Sequence, residues 1–201
     1  MEQPKVIVAT CLHGRSDTFN YCYSKIDVDI VAVYSDESDK ENAKDIVKHL
    51  FQFPNKPLGA KWNHLIYKLK DIDFDYVILL GQDDYFDDSF KKFVLDNCTK
   101  FDMMAFNDLY FEENGGKYYW GGYRGDRLGE PAGAGKVYSK EFLSRMNYSL
   151  FHYSMDKGLD KYSWDRAKDY SKNIGVFSLK ENGLYLCNVK DRDWETNCNS
   201  F

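Results

Sequence analysis

The stretch "YVILLGQDDYFDD", Tyr76–Asp88, decides how the fold is read. Val77, Ile78, Leu79 and Leu80 form an unbroken apolar run, the pattern of a strand covered on both faces. Asp83, Asp84, Asp87 and Asp88 follow at once, with only Gly81 and Gln82 between. Acids arrive in such a place for two reasons. A strand can end in a turn whose carboxylates open the next helix and meet its free N–H groups. Acids beyond the carboxyl end of a strand can also hold a divalent cation through oxygen. The first reading makes Asp87 and Asp88 the acids that open the next helix, the second makes a metal site of the cluster, and the stretch alone leaves both open.

Two more apolar runs precede this one, "KVIVAT" at 5–10 and "DIVAVYS" at 29–35. The segments between them carry helical spacing. "ENAKDIVKHL" (41–50) sets Ala43, Ile46, Val47 and Leu50 on one stripe. "PLGAKWNHLIYKLKD" (57–71) starts with Pro57 and places Leu58, Trp62, Leu65, Ile66 and Leu69 along another, and "SFKKFVLDN" (89–97) does so with Phe90, Phe93 and Val94. Strand–helix alternation predicts a mostly parallel sheet flanked by helices, with ligands beyond the carboxyl ends of its strands.

The second half changes character. "DMMAFNDLYFEE" (102–113) reads as one longer strand, and Asn114-Gly115-Gly116 as a turn into "KYYWGGY" (117–123). Glycines crowd Gly115–Gly135, which predicts an exposed functional loop. "SKEFLSRM" (139–146) reads as a helix capped by Ser139. "IGVFSLK" (174–180) and "GLYLCNVK" (183–190) read as a strand pair. The expected class is therefore α/β, Rossmann-like, with an antiparallel C-terminal part.

Composition narrows the function classes. The 201 residues, 43% hydrophobic and 17% aromatic, predict one folded domain over 1–201 with a sizeable core. A net charge of -5 disfavours a sequence-independent grip on nucleic acid. No apolar segment approaches a membrane span, and "MEQPKVIVATCLHG" lacks the core of a signal peptide, so a soluble, cytoplasmic protein is expected. Five scattered cysteines fit reduced thiols, with Cys11 read as a buried or strand-end thiol in preference to a nucleophile.

The strand ends would gather Thr10, Cys11, His13 and Arg15 from the first run, Asp36 from the second and "GQDD" from the third. Cations, a lone acid and an acid cluster on one rim suit a ligand with hydrogen-bonding groups at one end and phosphates at the other. Carboxylates repel phosphates, so that arrangement needs a bridging Mn²⁺ or Mg²⁺.

The ordered set "VIVATCLHGR", "VAVYSDE", "PLGAKWN", "VILLGQDDYF", "GAGKVYSKEFL" and "GLDKYSWD" resembles GT-A fold nucleotide-sugar glycosyltransferases of the family-2-like, inverting branch common in bacteria and large viruses. It covers about residues 5 to 170 in the expected order. The resemblance implies a nucleotide-sugar-binding half at 1–100 and an acceptor-binding half at 101–201. It implies donor contacts from Thr10, Cys11 and Arg15, from Asp36 at the base or ribose, and from Lys61 and Asn63. "GQDD" matches the DXD motif, with Asp83 on the metal and Asp84 beside it. The motif's first Asp is replaced by Gly81, which leaves Gln82 as the candidate ribose contact. The catalytic base is implied at Asp160, with Asp156 and Asp165 as fallbacks. Trp120, Tyr119, Tyr123 and Trp164 are candidates for stacking on sugar, and the loop holding Gly133 and Gly135 for binding the acceptor.

The implied activity is metal-dependent transfer from a nucleoside-diphosphate sugar, UDP-sugar favoured, to a hydroxyl of a glycan or glycoprotein. Two alternatives stand beside it: a catalytically silent carbohydrate-binding domain, and a sugar nucleotidyltransferase.

Overall fold

The computed structural model describes residues 3–190. Strand β1 (Val6–Cys11) leads through helix α1 (Ser16–Tyr23) to β2 (Ile30–Tyr34), α2 (Glu37–Ala43) and β3 (His49–Gln52). Then come α3 (Leu58–Lys68), β4 (Tyr76–Leu79), β5 (Asp84–Phe86) and α4 (Asp88–Asn97). The second half runs β6 (Met103–Phe106), β7 (Leu109–Glu113), β8 (Gly116–Trp120), β9 (Lys136–Ser139) and α5 (Lys140–Arg145). It continues through α6 (Leu159–Tyr170), β10 (Ile174–Phe177) and β11 (Leu186–Lys190).

A seven-stranded sheet has the order β10-β6-β9-β4-β1-β2-β3. Only β9 runs against its neighbours, β4 and β6; the other pairs are parallel. A second sheet, β5-β11-β7-β8, packs beside it. The central strands are buried along their length, and successive side chains alternate between two covered faces, as pleating requires. Ile7, Ala9, Val77 and Leu79 face the core formed with α3, α5 and α6, through Leu65, Phe142 and Leu159. Val8, Ile78 and Leu80 face the core formed with α1, α4 and the small sheet, through Phe19, Phe90 and Leu186. Covering both faces makes continuous apolar runs the right strand signal here. Among the described residues no helix is long and apolar enough to cross a membrane.

Local chemistry explains several boundaries. Asp87 caps α4, its carboxylate accepting from the N–H groups of Ser89 and Phe90, and Asp88 sits in the first turn, as expected. Ser139 caps α5 by accepting from Phe142 N–H. Asn114 and Gly115 both take positive φ, and Glu113 pairs with Gly116, giving the anticipated two-residue hairpin between β7 and β8.

Three expectations are corrected. The helix expected over 41–50 is displaced: α2 ends at Ala43, and His49–Gln52 is a strand paired with β2, Leu50 opposite Ala32. A neighbouring strand's hydrogen bonds outweigh a local helical stripe. The strand expected over 102–113 breaks between two sheets, because buried Asp108 accepts from Tyr119 Oη, Ser178 Oγ and the N–H groups of Leu179 and Lys180. The segments at 174–180 and 183–190 do not pair together: β10 joins β6, whereas β11 joins β5 and β7. Strands β5 and β9 were not anticipated. Of the five cysteines, Cys198 lies outside the described residues, and the other four are free thiols.

One close approach positions the later site. Gly59, in the first turn of α3, donates its N–H to Met155 O at 2.8 Å, and a Cβ there would lie 2.1 Å from His152 O. Gly59→Ala is therefore expected to lower unfolding free energy by about 1–3 kcal/mol, measured by urea denaturation; an unchanged midpoint would contradict this packing.

Candidate active site

The carboxyl edge of the large sheet is assembled from loops that its own side chains tie together. Lys61 enters from α3 and is fully buried. Its Nζ donates to Leu12 O (2.5 Å), Ser35 Oγ (2.6 Å) and Asn55 Oδ1 (3.2 Å), linking the loops after β1, β2 and β3. Burial lowers its pKa from the usual lysine value. Gln82 makes a second tie: its Oε1 accepts from His13 N–H at 2.7 Å and its Nε2 donates to His13 O at 3.0 Å. Asn63 makes a third, donating to Phe151 O and accepting from the N–H groups of Leu150 and Phe151.

These three were expected to face a donor. The structure gives them internal partners instead, and they act as supports behind the surface. The Thr10 side chain is likewise fully buried. Desolvation raises the Cys11 thiol pKa well above its usual value, the opposite of what a nucleophile needs. Trp120 and Trp164 are also buried, Trp120 packing edge-on to Tyr123 at 4.7 Å, so neither presents a face to a sugar. Sequence alone could not separate these from surface residues, because both aromatic and amide side chains serve either place.

The acids stand at the end of β4. Asp83 Oδ2 meets Arg15 Nη1 at 2.7 Å, with side chains 19% and 8% exposed. Asp84 is buried, its two oxygens accepting from Gly81 N–H (2.7 Å) and Asn188 Nδ2 (2.8 Å). Burial first, and the charge of Asp83 second, push the Asp84 carboxyl up to about 7; Asp160 adds to the same effect. Gly81 has a physical reason to be glycine. A Cβ there would lie 2.6 Å from Asp83 Oδ1 and 3.0 Å from Asp84 Oδ2, so these carboxylates fill the space that a side chain would need.

Beyond them a cleft of about 390 Å³ opens between β4, the small sheet and α6. Asp84 and Asn188 line one side and Asp160 another, with Leu58, Trp62 and Phe151 as an apolar wall. Trp62, expected to be core, therefore borders the cleft. Asp160 lies in the first turn of α6 and is exposed. Its carboxylate rests against Gly133, where a Cβ would come within 2.5 Å of it. Lys136, buried opposite Leu79, donates to Asp160 O at 2.9 Å and fixes that turn. Gly135, with φ +76, has no room for a side chain against Leu186.

The fallback acids are otherwise engaged: Asp156 accepts from Leu58 N–H at the start of α3, and Asp165 pairs with Lys161 and Lys168. A larger cavity of about 770 Å³ lies at the opposite, amino-terminal edge of the sheet. Its charges satisfy one another, as in Lys5–Asp73 and Arg145–Asp102.

Asp36 and His13 stand exposed on the rim, Oδ2 and Nδ1 3.2 Å apart. The sequence reading missed Asp39, which closes on the same two residues. Its place in the first turn of α2, just beyond the carboxyl end of β2, was the available signal.

No family model matches the chain, and no curated protein sequence does. Solved structures share its fold. S. aureus TarS 1-349 in complex with UDP-GlcNAc aligns with a TM-score of 0.66 at 15% identity, covering 98% of this chain and 61% of that one. The same TarS fragment with UDP gives 0.63 at 14% identity, over 92% and 60%. The inositol-1-phosphate CTP transferase from T. maritima gives 0.55 at 12% identity, over 93% and 90%. The fold is therefore the GT-A fold that these structures share, and the chain spans about three fifths of the TarS fragment.

The raised Asp84 pKa has a stability consequence with a definite sign. Folding disfavours the ionised form, so the contribution of Asp84 is fully present below about 3.8 and is lost as pH climbs towards about 7. Asp84→Asn, neutral throughout, is expected to gain stability relative to wild type as pH rises through that window. Urea midpoints at pH about 4.5 and about 8 test this; a difference between the two proteins that stays constant with pH would refute it.

Proposed function

We propose that the chain is a metal-dependent glycosyltransferase that moves a sugar from a nucleoside-diphosphate sugar, with UDP the favoured nucleotide, to a hydroxyl of a glycan or glycoprotein. The observation that carries this reading is a cleft lined by both Asp84 and Asp160 beyond the end of β4, with Asp83 next to Asp84 in the chain. The GT-A fold supports it, and so does the binding of UDP-GlcNAc by TarS.

The residues present fit a hard divalent cation. Asp84 is desolvated beside a second carboxylate, Arg15 pairs with Asp83 while neutral donors hold Asp84, and the two side chains offer only oxygen ligands. Asp83 and Asp84 would hold Mn²⁺ or Mg²⁺, which when bound would offset charge on the leaving diphosphate. Arg15, already against Asp83, offers its guanidinium to phosphate oxygens. Asp36 on the rim faces the base or ribose. Trp62 and Phe151 give the sugar an apolar face and keep water from the anomeric carbon. Asp160, whose carboxylate has no hydrogen-bond partner among the described residues, takes the proton of the attacking acceptor hydroxyl.

One observation favours a second reading, nucleotidyl transfer: the T. maritima CTP transferase aligns over 90% of its own length. Release of UDP from a UDP-sugar supports glycosyl transfer, whereas pyrophosphate release from a nucleoside triphosphate and a sugar phosphate supports the second.

Two substitutions test the assignment. Asp160→Asn is expected to keep donor affinity while transfer falls by about 10²–10⁴-fold; wild-type rates would move the base elsewhere. Asp83→Ala is expected to abolish Mn²⁺-dependent donor binding in calorimetry while the chain stays folded with a lowered thermal midpoint, because Arg15 loses its ion pair, and unchanged affinity would remove Asp83 from the metal.

A further inference from the structure

The rim outside the cleft holds a group that the transfer reaction does not use. Asp39, in α2, is 5% exposed. Its Oδ1 accepts from Gly14 N–H at 2.8 Å, but its Oδ2 is buried with no hydrogen-bond partner. A buried carboxylate oxygen without a donor is costly and calls for a positive partner. One ligand atom each from His13, Asp36 and Asp39 all lie within 4.8 Å of one another. His13 and Asp36 have side chains 54% and 58% exposed, so this cluster opens to solvent on one side and meets the buried Asp39 carboxylate on the other. The backbone of His13 is fixed on both its N–H and its C=O by Gln82, which holds the imidazole's attachment point in place before any ligand arrives.

We propose that His13, Asp36 and Asp39 form a separate divalent-cation site of Zn²⁺ type at the junction of the loops after β1 and β2. One imidazole nitrogen with carboxylate oxygens suits borderline first-row ions such as Zn²⁺ better than Mg²⁺, whose preference is for oxygen alone. Three protein ligands leave a coordination position for water or a ligand group. The ion would join β1's loop to α2 and supply the charge that Asp39 Oδ2 lacks. This site shares Asp36 with the donor contact of the glycosyltransferase reading, but its readout is metal binding without any donor, so the two can fail separately.

The test is a titration of the whole chain with Zn²⁺ alone, followed by ¹⁵N NMR of the four imidazoles and by calorimetry. The expected result is a shift of the His13 ring that saturates at one equivalent, retained in Asp83→Ala. Zn²⁺ affinity should fall by more than about 10–100-fold in His13→Ala, the loss that even an outer partner brings. Asp39→Asn should weaken binding in the same direction. His13 is exposed, so its loss leaves the core intact and the comparison meaningful. No Zn²⁺ binding in wild type, equal binding by wild type and His13→Ala, or loss of binding on Asp83→Ala would each overturn the assignment.

Discussion

The ammonium of Lys61 sits where water does not reach, and the oxygens of Leu12, Ser35 and Asn55 replace the hydration it has lost. Each oxygen belongs to a different strand-end loop, so one charge sets the relative height of three loops that share no local sequence. Everything on the rim depends on that constraint. The loop after β1 carries His13 and Arg15; the loop after β2 carries Asp36; both are placed before any ligand arrives. A lysine suits the task because its ammonium offers three donors from one point at the end of a long stem. The cost of burying it shows in its lowered pKa.

Charge in the cleft is distributed along the same lines. Arg15 neutralises Asp83, whereas Asp84 has only neutral hydrogen-bond donors and is pushed up to about 7. Lys136 is held near Asp160 but spends its hydrogen bonds on a backbone carbonyl and Ser163. Asp84 is thus short of positive charge, while Asp160 presents an exposed carboxylate to the same cleft.

The central strands were legible because both of their faces are covered, so β1, β2 and β4 read as plain apolar runs. The edge strand β3 was not, since Leu50 also completes a helical stripe, and only pairing with β2 settles its state. Strand β9 hid inside a glycine-rich stretch: Val137 and Tyr138 are ordinary strand formers, but four residues carry too little pattern to stand out. In the site, Asp83, Asp84 and Asp160 stood out because they follow an apolar strand or open a helix, the positions where the structure has them. Lys61, Asn63 and Gln82 were misplaced for a shared reason. Each reaches past the backbone to a partner distant in sequence, and a long polar side chain does not announce which way it points.

Gly133 has a consequence for how the Asp160 carboxylate is aimed. The carboxylate lies against the bare Cα of residue 133, so a methyl group there would meet the carboxylate itself and no main-chain atom. Asp160 is exposed, so its side chain can turn aside. An alanine at 133 would therefore re-aim that carboxylate and leave the backbone around it in place. Residue 133 is a rudder for one acid at the mouth of the cleft.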